Sequence, residues 1–263
     1  MHLAESIGEA TARRFEKLRE AAAFLGETVA CVFVAIIRPR TFRFGDFALA
    51  FQRAAFDGLV ISIGIGFLLG VILAFQSAAA LQMFGVEVYV ADLLSIALFR
   101  ELGPLITAIV LAGRSGSAFA AEIGAMKVNE ELDALTTMGL PPVRFLALPR
   151  IIAAFAAMPV LTIVAELSGL VGGAIVLSAM NVPTIVYWSH VQNTTTAFMI
   201  LFGLAKSALF GLIVGFVGCS AGMRTKSTAD GVGVAATEAV VGGIVSIAVT
   251  DGLLALLCHL WNL

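Results

Sequence analysis

Residues 58–84, GLVISIGIGFLLGVILAFQSAAALQMF, contain no charged side chain. A run of this length exceeds the ~18 apolar residues that mark a bilayer-crossing helix. Four other apolar stretches follow, so the chain has to satisfy its backbone largely without water. Only helices and closed barrels do that in lipid, and these runs do not alternate as barrel strands would. Composition agrees: 60% of the 263 residues are hydrophobic and 13% are charged, against an apolar share of roughly 45–50% in soluble domains. The expected fold is therefore all-α and membrane-embedded.

Five spans are predicted, over 54–84, 93–113, 151–180, 194–222 and 239–260, within a single domain covering 1–263. The N-terminal MHLAESIGEATARRFEKLRE is highly charged and has no short apolar core before a small-residue cleavage site, so no signal peptide is expected. Cys31, Cys219 and Cys258 are far apart and suggest neither a metal site nor a disulfide framework.

The distribution of Lys and Arg sets the topology. Eight precede the first span, four (Arg114, Lys127, Arg144, Arg150) lie between spans two and three, and Arg224 and Lys226 lie between spans four and five. The alternate loops, GVEVYVAD and NVPTIVYWSHVQN, have none. Basic loops stay in the cytoplasm, which places the N-terminus and residues 114–150 inside and the C-terminus outside. The segment 21–37, AAAFLGETVACVFVAII, is nearly long enough to cross. Basic residues flank it on both sides and Glu27 interrupts it, so it reads as a helix lying in the inner interface; a sixth span is the alternative. Tyr187 and Trp188 read as belt anchors at the outer headgroups.

Two features concern function. The first is AEIGAMKVNEELDALTTMGLPP, residues 121–142. Ile123, Val128, Leu132, Leu135 and Met138 recur at near-helical spacing, with Glu122, Lys127, Glu130, Glu131 and Asp133 among them. Gly139 is placed to cap a helix in the left-handed region, and Pro141-Pro142 stop it. The loop is longer than a connector requires. One amphipathic helix over about 120–138, fixed between two spans, is suited to being pushed by another protein.

The second feature is a set of charges deep in the spans: Arg100 and Glu101 in span two, Glu166 in three, Lys206 in four and Asp251 in five. A charge at the bilayer centre costs roughly 2.5–3.5 kcal/mol even on lenient scales, so such groups face a partner or a cavity. Lys206 paired with Asp251, Glu101 or Glu166 is the economical arrangement. Arg100 and Glu101, adjacent on a helix, point about 100° apart, so at least one looks elsewhere. Pro104 removes an amide donor one turn on and frees a carbonyl near Arg100. These charges read either as ion pairs that fix helix packing or as the polar patch of a lipid-holding cavity.

LAGRSGSAFAAEIGAMKVNEELDALTTMGLPPVRFLALPR, with LFRELGP upstream, closely resembles the signature of MlaE-type permeases, the membrane subunits of ABC transporters that move phospholipids between membranes. The match is dense over 97–150. The resemblance implies a homodimer in the bacterial inner membrane that moves phospholipid to or from an extracytoplasmic MCE-type carrier. It implies a coupling helix bearing Glu122, Lys127, Glu130, Glu131, Asp133, Leu135 and Met138, seated on a separate ATPase dimer. It also implies a functional role for Arg100, Glu101, Lys206 and Asp251, with Glu166 an addition of some members. No G-x-x-x-x-G-K-[ST] loop occurs. The chain itself is therefore expected to be non-catalytic and without a cofactor, ATP belonging to the partner, with no nucleic acid involved. A proton-coupled secondary transporter using Glu101, Glu166 and Asp251 is the rival, opposed by five spans and no repeat.

Overall fold

A computed structural model describes residues 19, 20, 22–35, 37, 38 and 42–260. The charged segment 1–18 lies outside the described residues. Helix α1, Ala22–Ala35, is followed by α2 (Phe44–Leu81) and two short 3-10 turns, Gln82–Phe84 and Glu87–Tyr89. Then come α3 (Val90–Ala97), α4 (Gly103–Leu111), α5 (Ser117–Val128), α6 (Glu131–Thr137), α7 (Leu148–Ala179), α8 (Thr184–Thr194), α9 (Ala197–Met223) and α10 (Ala229–Leu260). No strand occurs among the described residues.

Among the described residues, five helices are long and apolar enough to cross a membrane: Phe44–Phe84, Glu87–Val128, Val143–Ala179, Ala197–Met223 and Asp230–Leu260. The fourteen residues of α1 reach about 21 Å at 1.5 Å per residue, short of the ~30 Å hydrocarbon core. Phe24, Thr28 and Cys31 turn one face of α1 inward, and Phe24 meets the Phe216 ring of α9 at 5.1 Å. Leu25, Val29 and Phe33 stay exposed on the other face. This is a helix that packs one face against the bundle, as an interfacial helix would.

The first three spans exceed their sequence limits at the arginine-rich end. Ten residues from Phe44 to Arg53 prolong α2 below the uncharged run, and the second span stays helical to Val128. Hydropathy marks where lipid contact ends, whereas the hydrogen-bond ladder continues wherever tertiary packing supports it.

α2 packs on α7 through a stripe of small residues four apart: Gly58, Ser62, Gly66, Gly70, Ala74 and Ala78. A side-chain carbon at Gly66 would collide with Ala165 O, and one at Gly70 with Gly169 O, so the two backbones touch. In lipid no hydrophobic force joins helices, and such van der Waals contact takes its place. Gly211 and Gly215 repeat the device between α9 and α7, against Ala154 and Ile151. α7 is thus the buried centre of the bundle. α10 is its least covered span, with Val241, Val245, Val249 and Leu253 all more than half exposed.

Two sequence expectations are corrected. NVPTIVYWSHVQN is largely helical, forming α8, and Tyr187 is a core residue: its side chain is buried and its hydroxyl donates to Leu170 O at 2.8 Å. The short helix turns one face inward, and α7 supplies the hydroxyl with a polar partner that the belt reading did not foresee. The helix expected over 120–138 is two helices. α5 ends at Asn129, and Glu130 adopts the left-handed region at φ 61° before α6 begins. With neither Gly nor Pro at the break, periodicity ran straight through it. Glu131 and Asp133 then fall in the first turn of α6, where acidic groups complement the helix dipole. Gly139 does cap as expected, at φ 73°.

Candidate functional site

Three π-helical turns interrupt the spans: Leu98–Leu102, Ala112–Gly116 and Val143–Ala147. Each carries one arginine: Arg100, Arg114 and Arg144 respectively. A π turn inserts one extra residue and so re-aims the side chains around it. The first of them runs into Gly103-Pro104. Proline has no N–H to offer the carbonyl four residues back, so Arg100 O leaves the helical ladder.

Lys206 uses that opening. Its ammonium pairs with Glu101 Oε2, lies 2.5 Å from Asp251 Oδ1 and stands 3.5 Å from Arg100 O. The Lys206 side chain is 1% exposed, against 39% for Glu101 and 19% for Asp251. One buried cation thus joins three spans and is met by two carboxylates that stay partly exposed. Approach is set by Gly203, one turn before Lys206: a side-chain carbon there would collide with Phe99 O, so α9 rests directly on the π turn. Phe210, one turn after, lies with its ring centroid 5.9 Å from the ammonium.

Of the five mid-span charges expected to share a depth, the structure joins Lys206, Glu101 and Asp251. Arg100 contributes its carbonyl, and the residue has a further interaction of its own. Glu166 does not meet Lys206. It is 2% exposed on α7 and packs against Gly103, with no cation within ion-pair distance among the described residues. Sequence placed it by depth alone, and depth does not fix which side of α7 it occupies.

The α5–α6 hairpin divides its charges between two tasks. Glu122 turns inward and accepts from Arg150 at 2.9 Å and Arg53 at 3.2 Å, tying α5 to α7 and α2. Lys127 donates to Met223 O at 2.7 Å, capping the C-terminal end of α9. Leu132 and Leu135 are buried beneath the hairpin. Glu130, Glu131 and Asp133 remain exposed, and Met138 stands 65% exposed at the tip. The residues available to a partner are therefore Glu130, Glu131, Asp133 and Met138, while Glu122, Lys127 and Leu135 hold the hairpin in place.

Sequence reasoning missed a cluster at the opposite end. Asp92, at the start of α3, receives the Thr194 hydroxyl at 2.5 Å and faces His190 Nδ1 at 3.1 Å, joining α3 to α8. These residues are about a hundred positions apart, and no local spacing connects them.

Comparison with known proteins agrees with this architecture. Residues 47–257 match the family described as Permease MlaE. A probable ABC transporter permease protein of Synechocystis is 38% identical over 206 residues, covering 78% of this chain and 73% of that protein. A probable ABC transporter permease protein of Rickettsia bellii is 31% identical over 258 residues, covering 97% and 96%. The intermembrane phospholipid transport system permease protein MlaE of Haemophilus influenzae is 35% identical over 187 residues, covering 70% and 72%. The family match covers most of the chain and the Rickettsia bellii relative aligns over nearly its whole length, so the chain belongs to the MlaE permease family.

Proposed function

We propose that this chain is the non-catalytic membrane subunit of an ATP-driven transporter that moves phospholipid between the inner membrane and an extracytoplasmic MCE-type carrier. The named function of the Haemophilus relative supports the lipid class. The arginine-rich end faces the cytoplasm by the positive-inside rule. Two copies assemble, each contributing the exposed Val241–Leu253 face of α10, and enclose a largely apolar cavity for acyl chains. Arg100, Glu101, Lys206 and Asp251 stand in or just behind its wall. Glu166 supports span packing from α7.

One observation carries the mechanism. The helical span Glu87–Val128 bears Glu101 at mid-membrane and ends at the exposed α5–α6 hairpin. A partner ATPase dimer seated on Glu130, Glu131, Asp133 and Met138 can therefore displace Glu101 relative to Lys206 by moving one continuous helical span. Separating them exposes a buried ammonium with only Asp251 left to compensate it, so the cluster favours two discrete arrangements over a graded one. The chain gates; the partner supplies the energy. At the far end, Met83, Phe84 and Ile185 are each more than three-quarters exposed and offer an apolar rim to a lipid carrier.

The test is a pull-down of the ATPase by the Glu130→Lys/Glu131→Lys variant. Loss of the ATPase with an unchanged membrane fold supports the seat, and an undisturbed complex overturns it.

A further inference from the structure

At the arginine-rich end, α2, α5 and the start of α7 enclose a cavity of about 370 Å³. Four guanidinium groups line it (Arg43, Arg53, Arg114 and Arg150) against three carboxylates (Asp46, Asp57 and Glu122), leaving one net positive charge. It contains no lysine. The planar fork of arginine binds phosphate bidentately in a way a lysine cannot.

Arg150 is engaged at all three nitrogens, with Nε and Nη2 on Glu122 and Nη1 donating to Leu146 O. The other three are held at one nitrogen each: Arg43 by Asp46 at 2.8 Å, Arg114 by Asp57 at 3.1 Å and Arg53 by Glu122 at 3.2 Å. A guanidinium carries five N–H donors. Among the described residues, most of the donors on these three arginines are therefore available to a ligand. Their side chains are 44%, 45% and 60% exposed. Arg43 also lies over the Phe145 ring, 4.0 Å from its centroid, which orients its plane.

Depth identifies the ligand. No charged residue occurs from Gly58 to Val86, a stretch longer than the ~20 residues needed to cross. Asp57 and its partner Arg114 therefore mark the hydrocarbon boundary, and the cavity sits in the headgroup layer beside it. On the same helix, Phe56 at this boundary and Val60 one turn inside it are exposed and apolar, and they lie against acyl chains. A ligand that satisfies both surroundings has an anionic phosphate head and an apolar tail.

We propose that this three-helix cavity is a headgroup site for an anionic phospholipid of the adjacent leaflet, separate from the Lys206 cluster. Arg53 and Arg114, whose partner Asp57 lies one turn beyond Arg53 on α2, bind the phosphate, and Arg43, ten residues before Arg53, adds positive charge at the other end of the cavity. Asp46, Asp57 and Glu122 pre-orient them, and their charge keeps the lipid exchangeable. The site stands whether or not the mid-membrane cluster handles lipid.

The experiment is native mass spectrometry of the full-length chain in detergent, titrated with phosphatidylglycerol, phosphatidylcholine or inorganic phosphate. Phosphatidylglycerol is expected to bind about tenfold more tightly than phosphatidylcholine, with about fivefold lost per arginine in Arg53→Gln/Arg114→Gln. Asp57→Asn removes a competing charge and strengthens phosphatidylglycerol binding several-fold, a gain that misfolding cannot produce. Full retention of the preference in the double variant, or no gain in Asp57→Asn, overturns the proposal. Displacement of phosphatidylglycerol by millimolar phosphate assigns the cavity to free phosphate and overturns it as well.

Discussion

The molecule contains two ionic networks built on opposite terms. Mid-membrane, one lysine with a 1% exposed side chain holds two carboxylates across three helices. At the arginine-rich end, four arginines and three carboxylates share an open cavity, with most of their side chains two-fifths or more exposed. The first has an excess of negative charge in a medium that does not screen it. The second has an excess of positive charge where water and salt do. Placement therefore decides what each network can do. The buried one changes state as a unit, since losing one partner strands the others. The open one can exchange a carboxylate for a lipid phosphate at small cost.

Substitutions should separate the two. Lys206→Met is expected to have the largest effect, because it strands Glu101 and Asp251: breaking a buried pair costs about 3–5 kcal/mol, and the partial exposure of Glu101 places this one near the lower bound. Lipid transfer should fall at least tenfold. Lys206→Met/Asp251→Asn should recover much of the thermal stability without the transfer, and recovery of both would reduce the cluster to a packing device.

Next in size is Gly203→Val, which forces α9 off the π turn at Phe99. Overpacking of this kind costs about 1–3 kcal/mol, and the melting temperature should drop even though no charge has changed. A neutral outcome would mean that the close approach does not hold Lys206 in place.

Glu122→Gln tests the open network. It weakens two arginine contacts in one step, yet Glu122 is 39% exposed, so about 1 kcal/mol is expected from a screened network. Stability should become less salt-dependent, as measured by denaturation at low and high ionic strength. A loss as large as that of Lys206→Met would erase the distinction between the networks. The smallest effect belongs to Glu130→Gly, which relieves a left-handed non-glycine residue and should stabilise by about 0.5–1 kcal/mol.

How far the sequence could be read follows the same division. The five spans, the short N-terminal helix and the Gly139 cap were legible because lipid imposes long uncharged runs and glycine tolerates positive φ. The pairing of Lys206 was legible only as a choice among three carboxylates. Equal depth made all three eligible, and it took the π turn at Leu98–Leu102 to bring Glu101 round while Glu166 packed against Gly103. The Arg53–Glu122–Arg150 bridge and the Asp92–His190–Thr194 cluster join residues tens to a hundred positions apart, so no local spacing could reveal them. The break at Glu130 escaped notice because its only local hint is Asn129, a residue that favours turns without requiring one.

The most direct test of the account is phospholipid transfer in proteoliposomes containing this chain with the proposed ATPase and the proposed extracytoplasmic carrier. The predicted result is transfer that requires ATP hydrolysis, persists when the proton gradient is collapsed and is lost in Lys206→Met. Uphill transfer by this chain alone, or transfer that follows the proton gradient without nucleotide, would contradict it.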